Sequence, residues 1–132
     1  VVVVAAGNNG PRTMSITTPG ISRKVITVGC SDDDREVLVG GNRMVDYSGR
    51  GPTAACICKP DLVAPGCSVV SCSSRADKYT IKSGTSMSTP IVSGAVALLL
   101  ERFPDMSNKD VKLRLRESSV DIGLPRTHCY LM

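Results

Sequence analysis

The sequence has no tryptophan, one phenylalanine and three tyrosines among its 132 residues. So few rings leave no stacking platform for bases, and the 16 lysines and arginines are scattered from Arg12 to Arg126 rather than gathered into a stripe. With a net charge of only +4, nucleic acid is not an expected partner. Long apolar runs are missing too. The run Ala95 to Leu100, equalled in length by Val1 to Ala6, stops at Glu101-Arg102-Phe103-Pro104, well short of the roughly 20 residues a bilayer requires, so a membrane is not expected either. The opening run Val1 to Ala6 has no basic lead-in and is shorter than the roughly 7–15 apolar residues of a secretory signal. It reads as cut from the middle of a longer chain.

Histidine occurs once, at His128, and the six cysteines include no C-x-x-C pair: Cys56 and Cys58 form C-x-C, while Cys30, Cys67, Cys72 and Cys129 stand apart. That spacing does not make a zinc site, and no metal ligand set is expected. Cys30, Cys67 and Cys72 lie in or beside apolar segments, where a free thiol behaves as a small hydrophobe. Free thiols lean toward a reducing compartment.

What is present has the grammar of an α/β chain. Val1 to Ala6 and Val25 to Cys30 are β-branched runs closed by turn residues, which reads as strands buried on both faces of a parallel sheet. Val37-Leu38-Val39, Gly40-Gly41 and Met44-Val45 suggest a hairpin. Leu62 to Ala64 and Ser68 to Cys72 read as short strands, and the acidic Asp32-Asp33-Asp34 as a solvated turn. A helix is expected from Ser86 to Phe103, with Pro90 in its first turn and so little polar face that it must be buried. Ser107 and Asp110 make a variant capping box opening a second helix to about Ser118, whose Lys109, Lys112, Arg114 and Arg116 suggest a solvated face.

By position alone Ser86 is a helix N-cap and Asn8 a turn residue. The strings around them say more. Gly84 to Pro90 reads G-T-S-M-S-T-P ahead of a small-residue apolar helix; Val2 to Asn8 reads V-V-V-A-A-G-N; Val25 to Gly29 reads V-I-T-V-G; Lys59 to Gly66 reads K-P-D-L-V-A-P-G. In this order and spacing the chain resembles the subtilisin-like serine protease family, peptidase S8, over roughly residues 1 to 120.

The resemblance implies a three-layer α/β fold, a mostly parallel sheet with helices on both faces, of which residues 1–132 are the C-terminal part of the catalytic domain. It implies a serine endopeptidase acting through an acyl-enzyme. Ser86 would be the nucleophile, with its own backbone N–H and the side-chain amide of Asn8 as the oxyanion hole. Ala5, Ala6, Gly7, Asn9 and Thr17 would line the specificity pocket for a protein or peptide substrate, beside a cis peptide at Thr18-Pro19. Met87 would be the oxidation-sensitive neighbour. No cofactor is required, although the carbonyls of Gly20, Ser22 and Val25 match a weak calcium or sodium site of some members. Members are mostly secreted, against the lean of the cysteines, so the compartment stays open.

The family's aspartate and histidine precede the serine in the chain and are absent here, while His128 follows it in a tail that departs from the family's glycine-rich closing segment. The missing N-terminal half is therefore an expected partner, and the isolated segment is expected to be inactive. A pseudoprotease or peptide-binding scaffold is the alternative reading.

Overall fold

The computed structural model describes residues 1–32, 43–74 and 78–122. Its centre is β2 (Ile26–Asp32), in which the β-branched Ile26, Thr27 and Val28 are followed by the small Gly29, Cys30 and Ser31; all but Asp32 are buried. Strands β1 (Val3–Ala5) and β4 (Leu62–Pro65) flank β2 in parallel, with Val28 opposite both Ala5 and Leu62. A two-residue β3 (Arg43–Met44) pairs antiparallel with the end of β2. A separate antiparallel pair joins β5 (Val69–Cys72) to β6 (Tyr79–Lys82). Of the hairpin expected at 37–45, β3 is described and the Val37–Val39 arm lies outside the described residues. So do Asp33, Asp34 and the tail with His128 and Cys129.

Two helices, α1 (Thr85–Arg102) and α2 (Asn108–Glu117), cover one face of the sheet. Ile26, Val28 and Ala64 from the strands meet Val92 and Val96 of α1 and Val111 of α2 in a single apolar cluster. Toward the opposite face, a Cβ on Gly29 would stand 3.0 Å from the side chains of Pro60 and Val63 and 3.1 Å from that of Met44, so the chain between β3 and β4 covers it. The α/β, mostly parallel architecture expected from sequence is borne out, with both described helices on the same face.

Three expectations are corrected. Helix α1 is not enclosed: Thr85, Ser88, Val92 and Val96 are buried on one stripe, while Leu98 is 68% and Ile91 44% exposed. One helix can press only one stripe against a sheet, and among the described residues nothing crosses its other side. Strand β1 is three residues long and half-buried, because β2 is its one partner strand among those described. Lys112 does not join a solvated face but turns inward to Asp61, 2.9 Å away.

The capping box of α2 forms with aspartate in it: Ser107 Oγ accepts from the Asp110 N–H, and Asp110 Oδ2 accepts from the Ser107 N–H, each at 3.3 Å. Cys30 is buried and Cys67 half-buried, but Cys72 is exposed along with Cys56 and Cys58. The β5–β6 ribbon is open to solvent on both sides, Val70, Ser71 and Cys72 being exposed in succession, which is why Cys72 does not pack as expected. Among the described residues no helix is long and apolar enough to cross a membrane.

Candidate active site

Strand β1 ends at Ala5, and the chain turns so that Asn8 meets the start of α1, 77 residues further along. The side-chain oxygen of Asn8 accepts two hydrogen bonds from Thr85, one from the backbone N–H at 3.1 Å and one from Oγ1 at 3.0 Å. A backbone N–H can only donate, so this partner fixes which end of the Asn8 amide is oxygen. The Nδ2 end is left with its hydrogens unclaimed among the described residues.

The turn carrying Ser86 is held just as specifically. The N-cap of α1 is Gly84, at φ +147°, with no side-chain cap, so Ser86 is not the N-cap its position alone suggests but sits inside the first turn. Few residues with a Cβ adopt that φ, and a Cβ there would stand 3.3 Å from Asn8 Nδ2. The Gly84 N–H donates to the carbonyl of Gly66 at 2.9 Å, and Ser88 Oγ donates to the carbonyl of Ala64 at 2.8 Å. The end of β4 therefore anchors the turn from beneath. Gly66 leaves no room for a side chain, since a Cβ would fall 2.2 Å from Ser88 Oγ and 2.6 Å from Cys30 Sγ.

These restraints leave Ser86 exposed. Neither its Oγ nor its N–H finds a partner among the described residues. The N–H belongs to a helix N-terminus, where unpaired donors and the macrodipole favour negative charge. Ser86 thus has an unused donor in its own N–H, and the residue before it, Thr85, holds Asn8, whose amide is a second. Unused donors of this kind are what an oxygen turning negative under attack on a carbonyl requires.

The residues expected to line a pocket adjoin this turn. Thr17 donates its N–H to the Ala6 carbonyl at 3.0 Å, and its Oγ1 lies 2.5 Å from where a Cβ on Gly7 would stand. Ala6 is buried, Ala5 and Gly7 half-buried, and Asn9 is exposed at the rim of a cavity of about 370 Å³ whose lining runs from Asn9 through Arg12 to Thr17. The Thr18–Pro19 peptide is cis.

Below the site, a charged network ties the sheet to α2. Lys59 Nζ donates to Asp61 Oδ2 at 2.6 Å, Thr27 Oγ1 at 2.8 Å and the Val25 carbonyl at 3.1 Å. Lys112 Nζ donates to Asp61 Oδ1 at 2.9 Å and to the carbonyls of Val25 at 2.9 Å and Arg23 at 3.1 Å. Burial lowers the Lys59 pKa, and the hydrogen bond it donates to Asp61 opposes that shift. The Gly20 carbonyl accepts from Thr27 Oγ1 at 2.7 Å. Of the three carbonyls matching a cation site, those of Gly20 and Val25 are therefore occupied by the chain's own donors. Two ammonium groups at Val25 repel a further cation, so the residues present do not fit a metal ion there.

A third cluster joins Tyr47 to two thiols: its Oη lies 3.3 Å from Cys30 Sγ and 3.3 Å from Cys67 Sγ. Burial, then the hydrogen bonds to the two cysteines, raise the Tyr47 pKa. Burial likewise raises the Cys67 thiol.

Sequence reading placed Asn8 and Ser86 in one site, and the structure brings their segments together. It missed Thr85, which lies inside the G-T-S string and orients Asn8. It also missed the roles of Lys59 and Asp61 inside K-P-D, which only the fold pairs with Lys112.

Comparison with known proteins identifies the family and the fold. The model of the Subtilase family, Peptidase S8, matches residues 1–128. Serine protease AprX of Bacillus subtilis (strain 168) is 41% identical over 132 residues, covering 90% of this chain. Halolysin-like extracellular serine protease Nep of Natrialba magadii is 32% identical over 123 residues, covering 93%. Among solved structures, sphericase superposes with a TM-score of 0.74 at 35% identity over 88% of the chain. The chain spans 30% of AprX, 20% of Nep and 39% of sphericase.

Proposed function

The chain belongs to the subtilase family, and from that premise we propose that it carries the nucleophile half of a serine endopeptidase. The observation that supports this most directly is the double hydrogen bond from Thr85 to Asn8 Oδ1. It commits the asparagine to presenting its N–H hydrogens beside an exposed, unencumbered Ser86.

In the proposed reaction Ser86 Oγ attacks the carbonyl carbon of a peptide bond, and the carbonyl oxygen takes up the electron pair. That oxyanion is held by the N–H of Ser86 and by Asn8 Nδ2. Collapse expels the amine and leaves an acyl group on Ser86, which water then removes. Ala5, Ala6, Gly7, Asn9 and Thr17 receive the substrate residue on the acyl side of the bond. This chemistry calls for no cofactor. It does call for a base, because a serine hydroxyl is a weak nucleophile at neutral pH.

The base and its orienting carboxylate belong to a segment preceding Val1 in the whole protein, as in other members with the order Asp, His, Ser. The same segment covers the exposed side of α1, where Ile91 and Leu98 face solvent. Residues 1–132 are on this reading the C-terminal part of one catalytic domain, and secretion would follow the relatives. A serine-directed fluorophosphonate tests the reading. The full-length protein should be labelled stoichiometrically at Ser86, and the 132-residue segment alone should not. Labelling of the segment alone would show that proton transfer needs no upstream partner and overturn the proposal.

A further inference from the structure

The family reading leaves one built cluster unused, and it lies against the nucleophile turn. Cys30 is buried at the heart of β2, and Cys67 is half-buried directly after Gly66. Tyr47 Oη touches both sulfurs at 3.3 Å, so the two sulfurs lie within twice that distance of each other. Gly66 is the residue whose carbonyl receives the Gly84 N–H, and a Cβ on it would stand 2.6 Å from Cys30 Sγ. Cys67 is followed by Ser68, whose N–H donates to Ser83 Oγ at 2.8 Å. The segment 66–68 is thus stitched to residues 83 and 84 on one side and touches the thiol pair on the other.

We propose that Cys30 and Cys67 form a dithiol latch that a low-molecular-weight disulfide, such as oxidised glutathione, converts into a bond, disturbing the nucleophile turn. The half-buried Cys67 is the point of entry. Its thiolate, having lost the proton to solvent, attacks one sulfur of the small disulfide and expels one thiolate. Cys30, likewise deprotonated, then attacks Cys67 Sγ and expels the second. Two protein thiols are oxidised, one disulfide is reduced to two thiols, and no other electron acceptor is needed. Burial raises the Cys67 thiol, so exchange is slow at neutral pH and speeds up as pH rises.

Closing the bond moves groups that the site depends on. The sulfurs close to about 2.05 Å and both S–H groups are lost, so the phenolic oxygen no longer has a thiol donor beside it. Cys67 is drawn toward β2 and takes Gly66 with it. The Gly66 carbonyl is the anchor of Gly84, which adjoins Thr85, and Thr85 orients Asn8. Loss of alignment at Asn8 weakens one oxyanion donor, which lowers kcat by about tenfold or more with little change in KM. Formation of the bond is independent of the protease reading, whereas the fall in kcat rests on it.

The test uses the full-length protein incubated with oxidised glutathione, alkylated, and mapped by peptide mass. The expected result is a Cys30–Cys67 cross-linked peptide lighter by two hydrogens, a matching fall in kcat, and recovery of both on adding dithiothreitol. Cys67→Ser should abolish the cross-link and the fall together. Mass mapping of the unaltered protein decides the bond even if that variant does not fold. Two thiols still open to alkylation, or a glutathione adduct on Cys67 that never resolves to the bridge, would overturn the latch. A bridge that forms while kcat stays constant would overturn its connection to the turn.

Discussion

Two hydrogen-bonded networks hold this chain together, and they are finished to different degrees. Around Asp61 every strong group is used: both carboxylate oxygens accept from ammonium groups, and Lys59 and Lys112 each have three acceptors. Around Asn8 only half is used. Its oxygen is doubly satisfied while its amide hydrogens, the Ser86 hydroxyl and the Ser86 N–H are left over. A saturated buried network has nothing to offer a ligand, and removing one member leaves an uncompensated charge. A network closed on one side and open on the other presents fixed donors to whatever arrives. Chemistry is to be sought where hydrogen-bonding capacity is left unspent in a rigid setting.

If this contrast is right, substitutions in the two networks should fail in different ways when tested in the full-length protein. Ser86→Ala should lower kcat by about 10⁶ with an unchanged denaturation midpoint, measured by peptide hydrolysis and thermal unfolding side by side. Lys59→Met should do the reverse. It strips Asp61 of one of its two cations and should cost about 3 kcal/mol of stability in chemical denaturation, while the kcat of the folded fraction holds. A large fall in kcat there would show that the networks are not separate.

Asn8→Ala should lower kcat by about 10²–10³ with little effect on KM; this magnitude and that for Ser86 are the ones known for subtilisin itself rather than read from this chain. Thr85→Val keeps the backbone donor but loses the hydroxyl, so kcat should fall by roughly tenfold, about one neutral hydrogen bond. Equal effects of Thr85→Val and Asn8→Ala would mean that orientation alone carries the donor's contribution.

The smallest effect concerns neither network. The Ser107 hydroxyl, then its backbone N–H, hold the Asp110 carboxyl below its usual value. A depressed aspartate stabilises above the unfolded value, roughly pH 4, and the contribution is lost as pH falls through the lower folded value. Helicity followed by circular dichroism from pH 5 downward should show α2 loosening over that range. Ser107→Ala should flatten the response.

The sequence made the site more legible than the fold around it. Asn8 and Ser86 sit in strings whose order alone implies a common site, and β2 and α2 announce themselves through a buried β-branched run and a capping box. Burial of α1 was misjudged because an apolar sequence says what a helix could cover, not which of its stripes finds a neighbour. Lys112 was misjudged because a basic residue on an amphipathic helix is usually solvated; its inward turn depends on Asp61, 51 positions away in the chain. Thr85 was invisible as a positioning residue because nothing local distinguishes a hydroxyl that caps a helix from one that orients an amide.

The 77-position separation of Asn8 and Thr85 has a kinetic meaning. Closing so long a loop comes late in folding, after nearer contacts have offset its entropy. The anchor at Gly66 follows directly on β4, which pairs with β2. A fragment that lacks either Asn8 or Thr85 cannot form the contact between them. On the proposed reading, Ser86 gains its oxyanion donors only after two distant segments have met, so activity waits on a defined shape.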